Sequence, residues 1–223
     1  MSLPRPCKLF LFDLDGTLID SREDIARAVN AMLKSMELPA LSVIDVVRLV
    51  GDGMEALIQR VLRNVGDTEP DHEQVAVAMN LMIKEYGSHL IESTRLYPGV
   101  RETLEALRWA RLGLVSNKPE ALSRRILVEF RLADRFCAVL GGDSLPRRKP
   151  DPAPLIEAMS CCRALPSETV MVGDSPADVL AGKAAGIFTC GMAGGYRGRA
   201  ELQEAGCDLI IDHFEALLTH FVP

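Results

Sequence analysis

The feature that most constrains the fold is an alternation of short apolar runs with helical segments over the second half of the 223-residue chain. Strands separated by helices of about 10–15 residues indicate βαβ units and a parallel sheet. The predicted strands are Leu112–Val115, Ala138–Leu140, Val170–Val172, Ile187–Cys190 and Leu209–Ile211. The predicted helices are Arg101–Trp109, Pro119–Phe130, Pro152–Cys161 and Pro176–Ala185. The pattern therefore predicts an α/β fold.

The first half of the chain begins with one more apolar run, Cys7–Phe12, and then turns helical. Ser21, with Asp24 three residues later, resembles a helix start, with Asp at the position where a capping box has Glu or Gln. The first strand must still join the sheet, so the residues in between predict a helical cap over the carboxyl edge of that sheet. The predicted domains are a core of residues 1–17 and 96–223 and a cap of residues 18–95. Further cap helices are predicted at Ile44–Leu49, Met54–Val65 and His72–Leu90.

The composition and net charge of the chain limit the kinds of molecule that it is expected to bind. The hydrophobic fraction of 48% is that of an ordinary globular protein. A net charge of −6 argues against nucleic acid or an anionic membrane as the main partner, since both select for Lys and Arg. No apolar run approaches the ~18–20 residues needed to span a bilayer. The six cysteines form no C-x-x-C pair, and we expect reduced thiols in a cytoplasmic protein.

Polar motifs follow four of the predicted strands. Because the carboxyl ends of parallel strands meet at one edge, we expect these residues to converge although they are far apart in sequence. Two carboxylates two residues apart on extended chain project to the same side, and they repel unless a cation or a shared proton relieves them. The candidate residues are Asp13 and Asp15, then Ser116 and Asn117, then Lys149, and finally Asp174 and Asp178.

Each of these residue types suits a step of phosphoryl transfer. Asp13 can attack phosphorus and form an aspartyl phosphate. Asp15 can protonate the leaving oxygen and later deprotonate a water molecule. Ser116, Asn117 and Lys149 can hold the phosphoryl oxygens and balance the charge that develops on them.

The last motif predicts a metal site. Asp174 can complete the coordination of Mg²⁺, which prefers oxygen ligands and must neutralise both carboxylate and phosphate. Pro176 suits the first turn of a helix, so Asp178 would lie about one turn beyond Asp174 and could support the metal directly or through water. The same residues also make a good helix start without any metal, and both roles can hold together.

The four motifs, in this order, resemble those of the haloacid dehalogenase superfamily, specifically its phosphatases with a small helical cap inserted after the first motif. The resemblance covers essentially the whole chain and implies a Rossmann-like core and a phosphoric monoester hydrolase. It implies that Asp13 is the nucleophile and Asp15 the acid/base. It also implies that Mg²⁺ is bound by the Asp13 carboxylate, the Asp15 backbone carbonyl and Asp174, with Asp178 as an outer or variable ligand.

Further stretches are similar to the bacterial phosphoglycolate phosphatases, which implies 2-phosphoglycolate as the first expected substrate. These stretches are Phe12–Ser21, Val50–Gly53, Ser116–Pro119, Gly141–Ser144, Ala184–Gly186 and Gly194–Tyr196. The expected partner is a small phosphorylated metabolite, and the expected state a monomer or homodimer. In the cap, Arg48, Gly51 and Gly53 are candidate specificity residues. Asp52 departs from the family's Gly-Asn-Gly pattern and would place an acidic group near an anionic substrate.

Two other functions stay open. A sugar-phosphate or nucleotide phosphatase of the same superfamily would share the mechanism and differ only in its cap. A phospho-aspartate signalling module, similar to a response-regulator receiver, would also phosphorylate an Asp beside Mg²⁺ and a Lys. Such a module needs neither a second carboxylate at Asp15 nor a large insert, so both features argue against it.

Overall fold

The computed structural model describes residues 5–66 and 68–223. The strands are β1 (Arg5–Pro6), β2 (Leu9–Phe12), β3 (Ile19–Asp20), β4 (Arg95–Leu96), β5 (Arg111–Val115), β6 (Phe136–Leu140), β7 (Thr169–Gly173), β8 (Phe188–Met192), β9 (Leu209–Ile211) and β10 (Phe221–Val222). The helices are α1 (Arg22–Ser35), α2 (Val43–Leu49), α3 (Met54–Val65), α4 (His72–Ser88), α5 (Val100–Ala106), α6 (Glu120–Glu129), α7 (Ala153–Cys161), α8 (Pro176–Ala184), α9 (Arg199–Glu204) and α10 (Leu217–His220).

These elements form two compact units. The core unit comprises the chain up to Asp20 together with Leu96–Pro223, and the helical unit comprises Ser21–Arg95. The core unit contains a six-stranded sheet in the order β6-β5-β2-β7-β8-β9, and every neighbouring pair is parallel. The predicted α/β class with a parallel sheet is confirmed.

Strand β2 lies at the centre of the sheet. All four of its residues are buried, as expected for a strand covered on both faces. Its last residue, Phe12, pairs with Leu114 of β5 on one side and Val172 of β7 on the other. Strands β5 and β6 lie on one side of β2 and β7–β9 on the other, so the strand order reverses at β2. Ligands of open α/β sheets bind at the carboxyl ends of the strands where such a reversal occurs.

The helical unit consists of α1–α4. Helix α4 begins with a capping box between Asp71 and Gln74. Helix α1 begins after Ser21 as predicted, and the Ser21 side chain makes no capping hydrogen bond there. Asp24 is buried and instead accepts hydrogen bonds from the backbone nitrogens of Ser93 and Thr94, at 3.0 and 2.7 Å. The Asp24 carboxylate thus connects the first helix of the helical unit to the last residues of that unit.

The expectation of reduced thiols is wrong for two cysteines. Cys137 on β6 and Cys162, directly after α7, form a disulfide with Cα atoms 5.8 Å apart. The two residues are 25 apart in sequence, a separation that carries no local pattern, and only the packing of α7 against the sheet brings them together. Among the helices that the structure describes, none combines the length and apolar character required to cross a bilayer.

Candidate active site

The carboxyl ends of β2, β5 and β7 bring three of the predicted motifs together. Asp13 follows β2, and its backbone nitrogen donates to Val172 of β7 at 2.9 Å. Ser116 follows β5, and its nitrogen donates to Leu140 of β6 at 3.0 Å. Asp174 directly follows β7. The sheet therefore fixes the backbone from which each of these side chains extends.

Lys149 lies among these strand ends with its side chain only 2% exposed. Its ammonium donates to the carbonyl of Val115 and to Oδ1 of Asp178, both at 2.6 Å. It also lies 3.0 Å from Oδ1 of Asp13. Burial lowers the pKa of Lys149, but the carboxylates of Asp13 and Asp178 outweigh burial and raise it above its ordinary value. The ammonium therefore stays charged in a buried position.

Asp13, Asp174 and Asp178 form an acidic cluster in which one oxygen from each lies within 4.8 Å of the others. The Asp13 side chain is 13% exposed and so partly accessible to solvent, whereas Asp174 and Asp178 are buried. Oδ1 of Asp13 receives no well-aligned hydrogen bond from any residue that the structure describes, although it is buried. The Lys149 ammonium lies 3.0 Å from this oxygen but also pairs with Asp178, so a further cation would relieve the charge of the cluster.

Burial, together with repulsion between the carboxylates, raises the pKa values of two members of the cluster. Burial raises the pKa of Asp13 to about 6, with Lys149 lowering it in part and Asp178 raising it. Burial raises the pKa of Asp174 to about 8, and the charges of Asp13 and Asp178 add to the shift. Because the donors are all carboxylate oxygens, the cluster fits a hard divalent cation such as Mg²⁺.

Asp174 is held by two contacts and two close glycines. Its Oδ1 accepts a hydrogen bond from the Thr17 hydroxyl at 3.2 Å, and its Oδ2 accepts one from the backbone nitrogen of Tyr196 at 2.6 Å. A Cβ on Gly16, whose φ is +83°, would lie 2.2 Å from Oδ2. A Cβ on Gly195 would lie 2.3 Å from the Asp174 Cβ. Both glycines are needed because the backbone passes directly against this carboxylate.

Asp178 lies in the first turn of α8, and both its oxygens have protein partners. Oδ1 accepts from Lys149, and Oδ2 accepts from the nitrogen and hydroxyl of Ser175, at 3.0 and 2.6 Å. Asp178 and Ser175 form the capping box that starts α8. Because both oxygens are engaged, Asp178 is better suited to positioning Lys149 than to binding a metal directly. The metal role predicted for Asp178 stays a prediction.

Asp15 lies outside the acidic cluster. Both its oxygens are 2.9 Å from the ammonium of Lys118, a residue that was not among the predicted site residues. Six charged side chains described so far lie at these strand ends: Asp13, Asp15, Asp174, Asp178, Lys118 and Lys149. When all six are ionised, their negative charges exceed their positive charges by two. That excess equals the charge of one divalent cation.

The two polar residues after β5 are buried at the same edge. The Ser116 hydroxyl accepts a hydrogen bond from the Lys118 nitrogen at 3.3 Å, and its own proton remains to be donated. The Asn117 side-chain nitrogen donates to the carbonyl of Lys149 at 2.9 Å. Asn117 therefore fixes the loop that carries Lys149. Phosphate binding by these residues stays a prediction.

The candidate specificity residues belong to the helical unit. Arg48 is 3.6 Å from Asp45, with a side chain that is 73% exposed. Gly51 and Gly53 have φ values of 140° and 90°, so both hold backbone conformations that favour glycine. Asp52 is paired with Arg60, so the acidic departure from the family pattern is offset within this unit.

Comparison with known proteins identifies the family. A family model described as haloacid dehalogenase-like hydrolase matches residues 10–192. The chain belongs to the haloacid dehalogenase-like hydrolases. The phosphoglycolate phosphatase of Nitrosospira multiformis is 40% identical over 213 residues, which cover 95% of this chain and 94% of that protein. The phosphoglycolate phosphatase of Chromobacterium violaceum is 38% identical over 215 residues and 94% of each chain.

A solved structure gives the same family. The crystal structure of a predicted phosphoglycolate phosphatase from Haemophilus somnus superposes with a TM-score of 0.90 at 35% identity, covering 95% of this chain and 96% of that one. The predicted resemblance to haloacid dehalogenase-like phosphatases and the predicted enzyme class, phosphoric monoester hydrolase, are confirmed.

The raised pKa of Asp174 predicts the pH dependence of the metal-free hydrolase. Because the folded pKa is about 8, above the ordinary 3.8, this group's contribution to stability is complete below pH 4 and is lost as the pH rises through 8. The melting temperature in chelator should therefore fall between pH 5 and 9 more steeply than in Asp174→Asn. Equal slopes for the two proteins would contradict this. Added Mg²⁺ should raise the melting temperature of the parent more at pH 8 than at pH 6.

The close approach of Gly195 predicts a loss of metal affinity in Gly195→Ala. The added Cβ must displace Asp174, and partners that orient metal ligands are typically worth about 10–100-fold in affinity. Titration of the folded variant with Mg²⁺ measures this loss. Gly198→Ala is the matched control, because a Cβ there meets nothing within 4 Å. Equal Mg²⁺ affinity in the two variants would show that Asp174 is not held as described.

Proposed function

We propose that this hydrolase is a Mg²⁺-dependent phosphatase that hydrolyses 2-phosphoglycolate through a phosphoryl intermediate on Asp13. The observation that carries the proposal is the partly exposed Asp13 carboxylate at the edge of a buried cluster, 3.0 Å from the buried ammonium of Lys149. Two relatives at 38–40% identity over nearly the whole chain carry the name phosphoglycolate phosphatase, which supports the substrate.

Asp13 acts as the nucleophile. A carboxylate oxygen of Asp13 attacks phosphorus, the bond from phosphorus to the leaving oxygen breaks, and its electron pair stays on that oxygen. Asp15 gives its proton to the leaving oxygen, which departs as the hydroxyl of glycolate. Lys149, 3.0 Å from Asp13, is close enough to stabilise the negative charge on the phosphoryl oxygens.

Asp15 then acts in the opposite sense. It takes a proton from a water molecule, the water oxygen attacks phosphorus, and the bond from phosphorus to Asp13 breaks. Inorganic phosphate leaves and Asp13 returns to its carboxylate form. The same residue serves as acid and base because each half-reaction leaves it in the state that the other requires.

Asp13 and Asp174 are the side chains that would hold Mg²⁺, with the backbone carbonyl of Asp15. The ion would neutralise charge on the carboxylates and on the phosphate. Thr17 and the Tyr196 nitrogen orient Asp174 for this role. Asp178 acts through Lys149, because its two oxygens are engaged by Lys149 and Ser175. Ser116 and Asn117 contribute to binding the phosphoryl group.

The helical unit selects the substrate in this proposal. The Gly51–Gly53 turn and Arg48 are its candidate specificity residues, and the acidic Asp52 is paired with Arg60 within the unit. The partner is a small phosphorylated metabolite, and we propose a cytoplasmic enzyme that is a monomer or homodimer. A sugar-phosphate or nucleotide phosphatase is the second candidate, since a change of specificity needs only changes in this unit.

Phosphate release from a panel of small esters tests the proposal. We expect 2-phosphoglycolate to be the preferred substrate, and activity to disappear in chelator and return with Mg²⁺. Asp13→Asn should have no measurable turnover, and Asp15→Asn should lose about 10²–10⁴-fold in kcat. The matched control is Asp134→Asn, an exposed residue before the amino end of β6. A preference for sugar or nucleotide monophosphates would overturn the substrate, and turnover by Asp13→Asn would overturn the mechanism.

A further inference from the structure

Lys118 is a buried lysine with a specific partner. Its side chain is 4% exposed, and its ammonium lies 2.9 Å from both oxygens of Asp15, whose side chain is 13% exposed. The two residues are 103 positions apart and follow the neighbouring strands β5 and β2. An ammonium is buried at a high cost unless it is paired, so this contact is a specific one.

The backbone of Lys118 is fixed by its neighbours. Its carbonyl accepts a hydrogen bond from the Gly142 nitrogen at 2.9 Å, and its nitrogen donates to the Ser116 hydroxyl at 3.3 Å. A Cβ on Gly141 would lie 2.7 Å from the Lys118 carbonyl oxygen, so the loop after β6 passes directly against it. Helix α6 begins immediately beyond Pro119. The ammonium therefore extends from a backbone that has little freedom to move.

We propose that Lys118 is a positioning residue that fixes the orientation of the Asp15 carboxylate for both half-reactions. The inference rests on the proposed function, because it assigns Asp15 the acid/base role. A carboxylate has about four lone-pair sites on two oxygens. Lys118 occupies one site on each oxygen, which stops the group from rotating. The same contacts set the direction in which the carboxylate presents its oxygens.

Substrates with different leaving groups can distinguish a positioning role of Lys118 from a purely structural one. The p-nitrophenolate group of p-nitrophenyl phosphate departs without protonation, so transfer of its phosphoryl group to Asp13 does not need Asp15. Hydrolysis of the intermediate does need Asp15. With a misoriented Asp15, one equivalent of p-nitrophenolate should appear rapidly, and slow turnover should follow. Glycolate is a poor leaving group, so 2-phosphoglycolate should give slow turnover without a burst.

The experiment compares Lys118→Met with the parent by rapid mixing and in the steady state. We expect a burst of p-nitrophenolate close to one equivalent per active site. We expect the steady-state rate of Lys118→Met, divided by the size of its burst, to be at least about tenfold below that of the parent. The upper bound of this loss is the about 10²–10⁴-fold that acid–base catalysis contributes. With 2-phosphoglycolate, kcat should fall similarly while KM changes less than about threefold, since acid–base groups act in the transition state. Asp15→Asn should show the same pattern.

Two further variants serve as controls. Lys118→Arg keeps a donor that can bind a carboxylate through two hydrogen bonds, and it should recover part of the lost rate. Lys8→Met removes an exposed lysine that pairs with Glu168 at the opposite edge of the sheet, and it should match the parent. Circular dichroism confirms that each variant is folded.

Three outcomes would overturn the inference. One is a Lys118→Met variant with the parent's turnover per burst equivalent. Another is a loss of burst and steady-state rate in equal proportion, which marks a structural role. The third is unchanged kcat for 2-phosphoglycolate. Failure of the proposed function is a different result, because the parent protein would then release phosphate from no ester, with or without Mg²⁺.

Discussion

The buried ammonium of Lys149 is the interaction on which the site depends. It contacts the carbonyl that ends β5, a carboxylate in the first turn of α8 and the carboxylate that follows β2. Without it, the buried carboxylate of Asp178 and the partly exposed one of Asp13 would lose the positive charge that pairs them, and breaking a buried pair in this way is strongly destabilising. Lys149 also depends on its own loop, which Asn117 holds through the Lys149 carbonyl.

The sheet topology explains why these charges meet. Strand β2 lies between β5 and β7, and the pairing of Phe12 with Leu114 and Val172 aligns all three carboxyl ends. The residues that directly follow these strands therefore lie close together at one edge of the sheet. The close glycines have the same origin, because Gly16 and Gly195 lie where two loops pass directly against Asp174. The net excess of two negative charges follows from this convergence, and it is the property that a divalent cation would satisfy.

Much of this arrangement could be predicted from the sequence. Apolar runs mark the strands, and a polar motif directly after each run marks the edge where Asp13, Ser116 and Asp174 meet. Lys118 was missed because a lysine after Ser-Asn looks like any surface lysine until β5 and β2 are placed side by side. The Tyr196 contact uses a backbone nitrogen, which no side-chain pattern reveals. The Cys137–Cys162 disulfide and the Asp24 contacts likewise depend on packing between distant segments.

The most direct test of the proposed mechanism is the chemical identity of the residue that receives the phosphoryl group. Enzyme mixed with substrate can be quenched in acid within one turnover, digested and examined by mass spectrometry. We predict one phosphate on the peptide that contains Asp13, at Asp13 itself, disappearing as inorganic phosphate is released, and no such adduct in Asp13→Asn. A phosphoryl group on any other residue, or full turnover by Asp13→Asn, would contradict it.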